Sequence, residues 1–153
     1  MNLLVSIITP SYNSSVFIEE TIKSVINQTY TNWELIITDD CSSDSTVSIV
    51  QKYAEKDERI KLFLLKKNSG AGVARNNSIK LAQGKFIAFC DSDDKWKPYK
   101  LEKQIEFMTE NNLVLSFSSY DVIDENEQIQ GQVKAPKKVN YKKMLQNNYI
   151  GCL

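Results

Sequence analysis

Stretches with the pattern of buried β-strands alternate with amphipathic helical stretches about four times in this chain. The strand-like runs are rich in β-branched and apolar residues, and the helical runs place apolar side chains three and four residues apart. The alternation predicts strands over 5–9, 33–38, 60–65 and 85–89 and helices over 17–27, 46–56, 72–83 and 99–111. This order is typical of an α/β, Rossmann-like fold with a mostly parallel sheet and helices on both faces.

After this alternation the pattern becomes less regular. A further strand is predicted over 113–118, an irregular strand pair or exposed excursion over 121–133, and a short helix over 140–146. We interpret residues 1–120 as one ligand-binding core and 121–153 as the start of a second region. The apolar end, Ile150-Gly151-Cys152-Leu153, predicts that the chain is truncated there.

Charge and rare residues narrow the possible chemistry. The formal net charge is zero, so the chain lacks the basic footprint of a nucleic-acid-binding protein. There is no histidine, which removes Ser-His-Asp catalysis and histidine-ligated zinc. The three cysteines (Cys41, Cys90 and Cys152) are far apart and odd in number, and we interpret each as a small buried side chain in a reducing, cytoplasmic protein. An enzyme with this composition must use carboxylates, Lys, Arg, hydroxyls or a metal.

Two acidic turns follow two of the predicted strands. Asp91-Ser92-Asp93-Asp94 comes directly after the strand at 85–89, and Asp39-Asp40 ends the strand at 33–38. Because the carboxyl ends of parallel strands face the same edge of a sheet, we expect the two turns to converge. Carboxylates packed so tightly repel one another, and oxygen-only ligands suit Mg²⁺ or Mn²⁺. The sequence therefore predicts a cation site at this edge.

A glycine-containing loop supplies a third contribution to the same edge. Asn68-Ser69-Gly70 is a turn signal, and Arg75 lies in the first turns of the helix that follows. A metal held by acids, a glycine turn, a helix N-terminus and an arginine together suit a diphosphate ligand. A P-loop is excluded because the chain has no such pattern, and a dinucleotide site is disfavoured because Gly70–Arg75 places Arg where that motif needs its third glycine.

Four segments together resemble the family 2 glycosyltransferases. These segments are Val5–Asn13, the opening strand and loop; Asp39–Thr46, similar to the family's "DDGSxDxT" turn; Asn68–Gly70 with Ala74-Arg75-Asn76, similar to "N-x-G-…-A-R-N"; and Asp91–Asp94, similar to the DxD motif. The four motifs occur in the family's order over about residues 3–120. Cys41 stands where the family has glycine, and because Cys tolerates positive φ poorly we expect the turn geometry to differ slightly.

The resemblance implies a GT-A fold and an inverting, metal-assisted transfer of sugar from a nucleotide-diphospho-sugar, with a UDP-sugar as the expected donor, in bacterial polysaccharide biosynthesis. It implies that Asp40 or its neighbour Asp39 bonds the base, that Arg75 lies near the nucleotide, that Asp91 faces the ribose or sugar, and that Asp93 binds Mn²⁺ or Mg²⁺. The predicted nucleotide-sugar site comprises Pro10, Ser11, Tyr12, Asn13, Asp39, Asp40, Asn68, Gly70, Arg75, Asp91 and Ser92. Residues 1–120 are then the donor-binding core and 121–153 the start of an acceptor-side region.

The general base that inversion requires is not identified. We interpret Asp121, Asp124, Glu125 and Glu127 as solvated loop charges and expect the base beyond Leu153. The expected partners are the donor and a saccharide or lipid-linked acceptor, without nucleic acid, and a peripheral membrane contact made by residues beyond Leu153. Two alternatives remain open: a nucleotide-sugar binding module without turnover, and a nucleotidyltransferase, which is disfavoured because the loop at 10–15 has no basic residue.

Overall fold

Four strands, each followed by a helix, make up most of the described structure. A computed structural model describes residues 3–124, 126 and 128–146. The strands are β1 (Val5–Ser11), β2 (Trp33–Asp39), β3 (Ile60–Leu64) and β4 (Phe86–Phe89), and the helices are α1 (Ile18–Ile26), α2 (Thr46–Ala54), α3 (Ala71–Leu81) and α4 (Lys100–Glu110). All neighbouring strands pair in parallel, in the order β3-β2-β1-β4. The predicted α/β fold with a mostly parallel sheet is confirmed.

The two faces of the sheet carry different side chains because successive strand residues point to opposite sides. Ile7 and Leu35 belong to a buried cluster that also contains side chains of α1, α2 and α4, such as Ile22. On the opposite face the hydroxyl of Thr38 lies 2.7 Å from that of Ser78 in α3. Helices therefore cover both faces, as predicted. Each fully buried Ile or Leu contributes roughly 1.5–3 kcal/mol of transfer free energy.

Strand β1 continues through Pro10, although the sequence predicted that the proline would stop it. Pairing of β1 with β4 ends at Ile8, whereas pairing with β2 extends to Ser11. Past Ile8, β1 therefore has a strand neighbour on one side only. A proline is compatible with such an edge-like position, because its missing N–H removes no ladder hydrogen bond on the open side.

A buried carboxylate ties the strands together at the opposite end of the sheet. Glu34 accepts hydrogen bonds from Ser6 Oγ at 2.6 Å, from Lys61 Nζ at 2.7 Å and from the Gln83 N–H at 2.8 Å. Burial raises the pKa of Glu34, but these donors outweigh it and the pKa lies below its ordinary value. The same hydroxyl of Ser6 accepts the Gly84 N–H at 2.8 Å. A Cβ on Gly84 would lie 2.5 Å from the Ser6 nitrogen, so this approach requires glycine.

The predicted strand at 113–118 is not a strand in the structure. Val114 and Leu115 are largely exposed, and the segment pairs with no strand among the described residues. With β4 and α4 it borders an apolar cleft of about 480 Å³. An apolar run predicts burial, but a strand also needs a hydrogen-bonding partner, which no described segment supplies.

A separate hairpin and a short helix complete the described part of the chain. Strands β5 (Tyr120–Ile123) and β6 (Ile129–Val133) pair antiparallel with an irregularity after Val122, and α5 spans Tyr141–Gln146. The predicted strand pair and short helix are thus present. No helix in the described ranges is long and apolar enough to cross a bilayer.

Candidate functional site

A cleft of about 350 Å³ opens at the carboxyl ends of β1, β2 and β4, beside the first residues of α3. This is the edge at which parallel α/β sheets place their ligand sites. The cleft is lined by Pro10, Ser11, Tyr12, Asp40, Asn68, Gly70, Ala71, Arg75, Asp91, Ser92 and Asp93. The two acidic turns, about fifty positions apart in the sequence, therefore share one cleft.

Two predicted site residues, Asn13 and Asp39, do not line this cleft. Asp39 is buried and accepts hydrogen bonds from Ser11 Oγ at 3.0 Å and from the Ser42 N–H at 2.8 Å and Oγ at 2.6 Å. Asn13 Oδ1 accepts the Ser43 N–H at 2.9 Å. Both side chains therefore fix loop geometry. Ala71, which the sequence analysis did not select, lines the cleft as the first residue of α3.

The turn after β2 holds the loop after β1 through successive backbone bonds. The Asn13 N–H donates to Ser42 Oγ at 2.9 Å, and the Ser14 N–H donates to Thr46 Oγ1 at 2.8 Å. The next N–H, of Ser15, donates to Asp44 Oδ2 at 3.1 Å. Alternate side chains of the Asp39–Thr46 turn therefore set the path of the loop that carries Tyr12 into the cleft.

Cys41 lies in the middle of this turn with φ of +68°. The backbone at Cys41 thus takes the left-handed conformation that a glycine at this position could adopt, despite the side chain. This conformation costs an L-residue roughly 1–2 kcal/mol. Cys41 is also exposed rather than buried as predicted, whereas Cys90 is buried. Cys152 lies outside the described residues.

Asp40 joins β2 to the loop before α3. Its two carboxylate oxygens accept the N–H groups of Ser69 and Gly70, each at 2.7 Å. Asp40 is 2% exposed, so these charge-assisted bonds compensate the burial of its carboxylate. Gly70 has φ of +90°, a conformation that favours glycine. The carboxylate of Asp40 thus lines the cleft and also fixes the loop before α3.

Arg75 extends from α3 to the acidic turn after β4. Its Nη2 lies 2.7 Å from Asp91 Oδ1. Its Nε is buried and has no hydrogen-bond partner among the described residues. A guanidinium has five donors, so Arg75 retains donors for a further acceptor in the cleft.

In the acidic turn, the carboxylate of Asp93 is exposed and the pKa of Asp94 is raised. Asp93 is exposed at the cleft, and no described residue donates a hydrogen bond to its carboxylate. Partial burial raises the pKa of Asp94 to about 6, with the negative charges of Asp93 and Asp91 adding to the effect. The repulsion predicted from the sequence thus acts on Asp94.

The donor set around Asp93 fits a hard divalent cation that also contacts a ligand. Among the described residues no three acidic, cysteine or histidine side chains form a ready-made metal cage. Mg²⁺ is usually held by one or two carboxylates together with substrate phosphates and water, and such a site needs no cage. Asp93 provides the open carboxylate, and Asp91 lies across the same turn.

Lys100 and Cys90 lie behind the acidic turn. The Lys100 ammonium is 3.4 Å from the centroid of the Trp96 ring, and burial lowers its pKa to about 8. Burial raises the pKa of the Cys90 thiol, which makes the thiol unreactive at neutral pH. These residues form the packed support of the turn and do not line the cleft.

The candidate carboxylates after residue 120 make local contacts. Asp124 accepts the N–H groups of Asn126 and Gln128, each at 2.9 Å, and so fixes the β5–β6 turn. Asp121 pairs with Lys97 Nζ at 2.6 Å, so it is paired rather than freely solvated as predicted. Glu125 and Glu127 lie outside the described residues.

Comparison with known proteins gives a family match over nearly the whole chain. The sequence profile described as "Glycosyl transferase family 2" matches residues 6–152. The chain is 49% identical over 151 residues to TuaG of Bacillus subtilis (strain 168), whose name provisionally assigns it to teichuronic acid biosynthesis as a glycosyltransferase; the match covers 98% of this chain and 60% of TuaG.

A second relative and a solved structure agree with this match. The chain is 49% identical over 150 residues to the Escherichia coli protein WfgD, named as a UDP-Glc:alpha-D-GlcNAc-diphosphoundecaprenol beta-1,3-glucosyltransferase, with 98% of this chain and 58% of WfgD covered. The crystal structure of S. aureus TarS 1-349 in complex with UDP-GlcNAc superimposes with a TM-score of 0.68 at 37% identity, over 72% of this chain and 32% of that chain. The chain thus spans about three fifths of the length of these curated relatives.

Proposed function

Since this chain belongs to glycosyltransferase family 2, we propose that it is the donor-binding part of an enzyme that transfers a sugar from a UDP-sugar to an acceptor hydroxyl with inversion. The observation that supports this most directly is the single cleft shared by Asp40, Arg75, Asp91 and Asp93. The name of WfgD specifies UDP-Glc and the TarS structure is a complex with UDP-GlcNAc, which favours uridine in the donor of this chain.

The proposed binding mode divides the cleft into a nucleoside end and a diphosphate end. Tyr12, Asp40 and Asn68 line the end formed by β1, β2 and the loop before α3, where the base and ribose bind. The carboxylate of Asp40 already accepts two N–H groups, but its oxygens have further lone pairs that can accept an N–H of uracil. Asn13 and Asp39 contribute by holding this end in shape.

The diphosphate end contains Arg75, Asp91 and Asp93. The Arg75 side chain is 23% exposed, and N–H groups of its guanidinium that are not used by Asp91 can donate to a phosphate oxygen, while the ion pair with Asp91 orients the guanidinium. Asp93 would hold Mn²⁺ or Mg²⁺, with Asp91 facing the ribose or sugar. When bound, such a cation stabilises the negative charge that develops on the leaving diphosphate.

For the acceptor side we propose a sugar-containing or lipid-linked substrate. A saccharide or lipid-linked acceptor agrees with the name of WfgD, which specifies a diphosphoundecaprenol acceptor. Asp124 fixes a turn and Asp121 pairs with Lys97, so we propose neither of them as the general base. We also propose a cytoplasmic location, supported by the free thiols of Cys41 and Cys90.

Isothermal titration calorimetry of the 153-residue chain with UDP, with and without Mn²⁺, tests the proposal. We expect UDP binding that Mn²⁺ strengthens, and we expect Asp93→Asn to remove the strengthening while the variant remains folded. Folded protein that binds no UDP under either condition refutes the proposal. UDP binding without any sugar transfer would favour the alternative of a non-catalytic binding module.

A further inference from the structure

Residues 90–99, which join β4 to α4 and contain the acidic turn, are called the acidic loop below. Three polar side chains, two in α1 and one just after this helix, face the acidic loop. Thr21, Ser24 and Gln28 are spaced by three and four residues, which places them on one side of the helix. Thr21 and Gln28 are buried. A polar stripe on a buried helix side is costly unless each group has a partner, so its partners indicate what it holds.

The Thr21 hydroxyl lies 3.4 Å from the carbonyl of Phe17, the residue that precedes α1. Among the described residues, every other side-chain partner of this stripe outside α1 is a backbone group of the segment 92–101. The Thr21 hydroxyl donates to the Ser92 carbonyl at 3.0 Å. Ser24 Oγ accepts the Trp96 N–H at 3.1 Å while donating to its own helix. Because the contacts go to backbone atoms, they determine the path of the loop rather than the identity of its side chains.

Gln28 makes contacts at the far end of the same loop. Its Nε2 donates to the Lys97 carbonyl at 2.9 Å, and its Oε1 accepts the Leu101 N–H at 3.0 Å. Leu101 lies in the first turn of α4, where an N–H has no partner within the helix. Gln28 thus fixes the loop and the start of the helix that ends it. The neighbouring Thr29 N–H adds a bond to the Pro98 carbonyl at 2.9 Å.

The acidic loop needs such external support for two reasons. Between β4 and α4 its backbone belongs to no strand or helix, so few of its polar groups are satisfied locally. It also carries the close carboxylates Asp91, Asp93 and Asp94, whose mutual repulsion favours a more open path. The hydrogen bonds from α1 oppose that opening at both ends of the loop.

We propose that Thr21, Ser24 and Gln28 are positioning residues that hold the acidic loop so that Asp91 and Asp93 face the cleft at the separation a metal-bound diphosphate requires. None of the three lines the cleft. The inference rests on the proposed function of the cleft, since the geometry being held is that of the diphosphate end.

Amide hydrogen exchange measured by NMR tests the mechanical part without any ligand. Ser24→Ala removes the acceptor of the Trp96 N–H, and exchange at this amide should accelerate about tenfold, the factor expected for one lost hydrogen bond. Gln28→Ala should do the same at the Leu101 amide. The matched control is Thr109→Val, because among the described residues the Thr109 hydroxyl donates only to carbonyls of α4, those of Ile105 and Glu106. Unchanged exchange of the loop amides in the folded variants overturns the proposal.

Nucleotide binding tests the functional part. Thr21→Val keeps the side-chain shape and leaves the Ser92 carbonyl without its donor. We expect UDP affinity in the presence of Mn²⁺ to fall about tenfold, and UDP affinity without Mn²⁺ to change by less than about twofold, because the hydrogen bonds of the Thr21 hydroxyl go to the Phe17 and Ser92 carbonyls and not to Tyr12, Asp40 or Asn68 at the nucleoside end. Thr21→Ser, which retains the hydroxyl, should restore the Mn²⁺ effect, and Thr109→Val should behave as wild type.

The outcomes separate this proposal from the proposed function. If wild type binds UDP with Mn²⁺ but folded Thr21→Val binds it equally well, or loses affinity equally with and without Mn²⁺, the positioning role is wrong while the function stands. If wild-type protein binds no UDP, the proposed function fails, and with it the role for the diphosphate. The exchange rates then show whether the three side chains hold the loop at all.

Discussion

Replacing Asp40 with Asn tests whether this carboxylate shapes the cleft as well as facing it. The substitution changes one oxygen to an amide nitrogen and removes the negative charge. One of the two N–H groups now bound, from Ser69 or Gly70, then faces an N–H₂ group that cannot accept a hydrogen bond. The other N–H keeps a neutral acceptor.

The expected loss follows from the hydrogen bonds. A bond to a charged group contributes about 1.5–3 kcal/mol and a neutral bond about 1 kcal/mol, and an unpaired buried donor costs about 1–3 kcal/mol. Asp40 is 2% exposed, so burying its charge costs free energy in the wild type. The neutral Asn avoids this cost, which offsets part of the lost hydrogen-bond energy. We therefore expect Asp40→Asn to lower the free energy of unfolding by about 2 kcal/mol, a fall in Tm of roughly 4–8 °C for a domain of this size.

Urea unfolding followed by tryptophan fluorescence measures this loss, and Asp93→Asn is the matched control. Asp93 is exposed and accepts no hydrogen bond from a described residue, so its substitution should change stability by less than about 0.5 kcal/mol. Both variants should bind UDP with Mn²⁺ more weakly than wild type, for different reasons. Asp40→Asn loosens the nucleoside end, and Asp93→Asn removes the proposed metal ligand.

The reasoning about Asp40 is refuted if Asp40→Asn is as stable as wild type. It is also refuted if the two variants lose equal stability, because the contrast depends on the two backbone bonds that Asp40 accepts and Asp93 does not. Amide exchange at Ser69 and Gly70 localises the effect. Faster exchange there, with unchanged exchange elsewhere, identifies local opening of the loop as the cause.

Three further predictions concern the frame around the site. Glu34→Gln should lower the free energy of unfolding at pH 7 by about 1–3 kcal/mol. Because the pKa of Glu34 is lowered in the folded state, its contribution to stability is present above the unfolded pKa of about 4.3 and is lost as the pH falls through the folded pKa. In urea titrations at decreasing pH, the variant should therefore lose less stability than wild type. Gly84→Ala should cost at least about 2 kcal/mol in the same assay because its Cβ meets the Ser6 backbone, whereas Gly72→Ala, which meets nothing within 4 Å, should not lower stability. Cys41→Gly should leave the free energy of unfolding unchanged or raise it by up to about 1 kcal/mol, because φ of +68° suits glycine. Cys41→Val should lower it by more than about 1 kcal/mol, because a β-branched side chain opposes this φ. A Cys41→Val protein with wild-type Tm would contradict the assigned backbone conformation.

Periodicity in the sequence was sufficient to predict the sheet and its helices. The buried runs of β1 and β2 and the apolar stripes of the helices report directly on which side chains leave water, and burial is the main source of stability. The parallel topology then required that Asp40 and Asp93 lie at one edge. The segment at 113–118 shows the limit of this reasoning, because its apolar residues indicate burial but not whether a partner strand lies beside it.

The roles of individual polar side chains depended on distances that periodicity does not encode. In the sequence Asp39 and Asp40 are equivalent neighbours. In the structure Asp39 accepts hydrogen bonds from Ser11 and Ser42, whereas Asp40 lines the cleft. Likewise Gln28 is an ordinary polar residue until the fold places Leu101, 73 positions later, within hydrogen-bonding distance. Local conformational preferences act over a few neighbouring residues, so they can be predicted from the sequence. These contacts form only when the crossovers bring remote segments within about 3 Å, the length of a hydrogen bond.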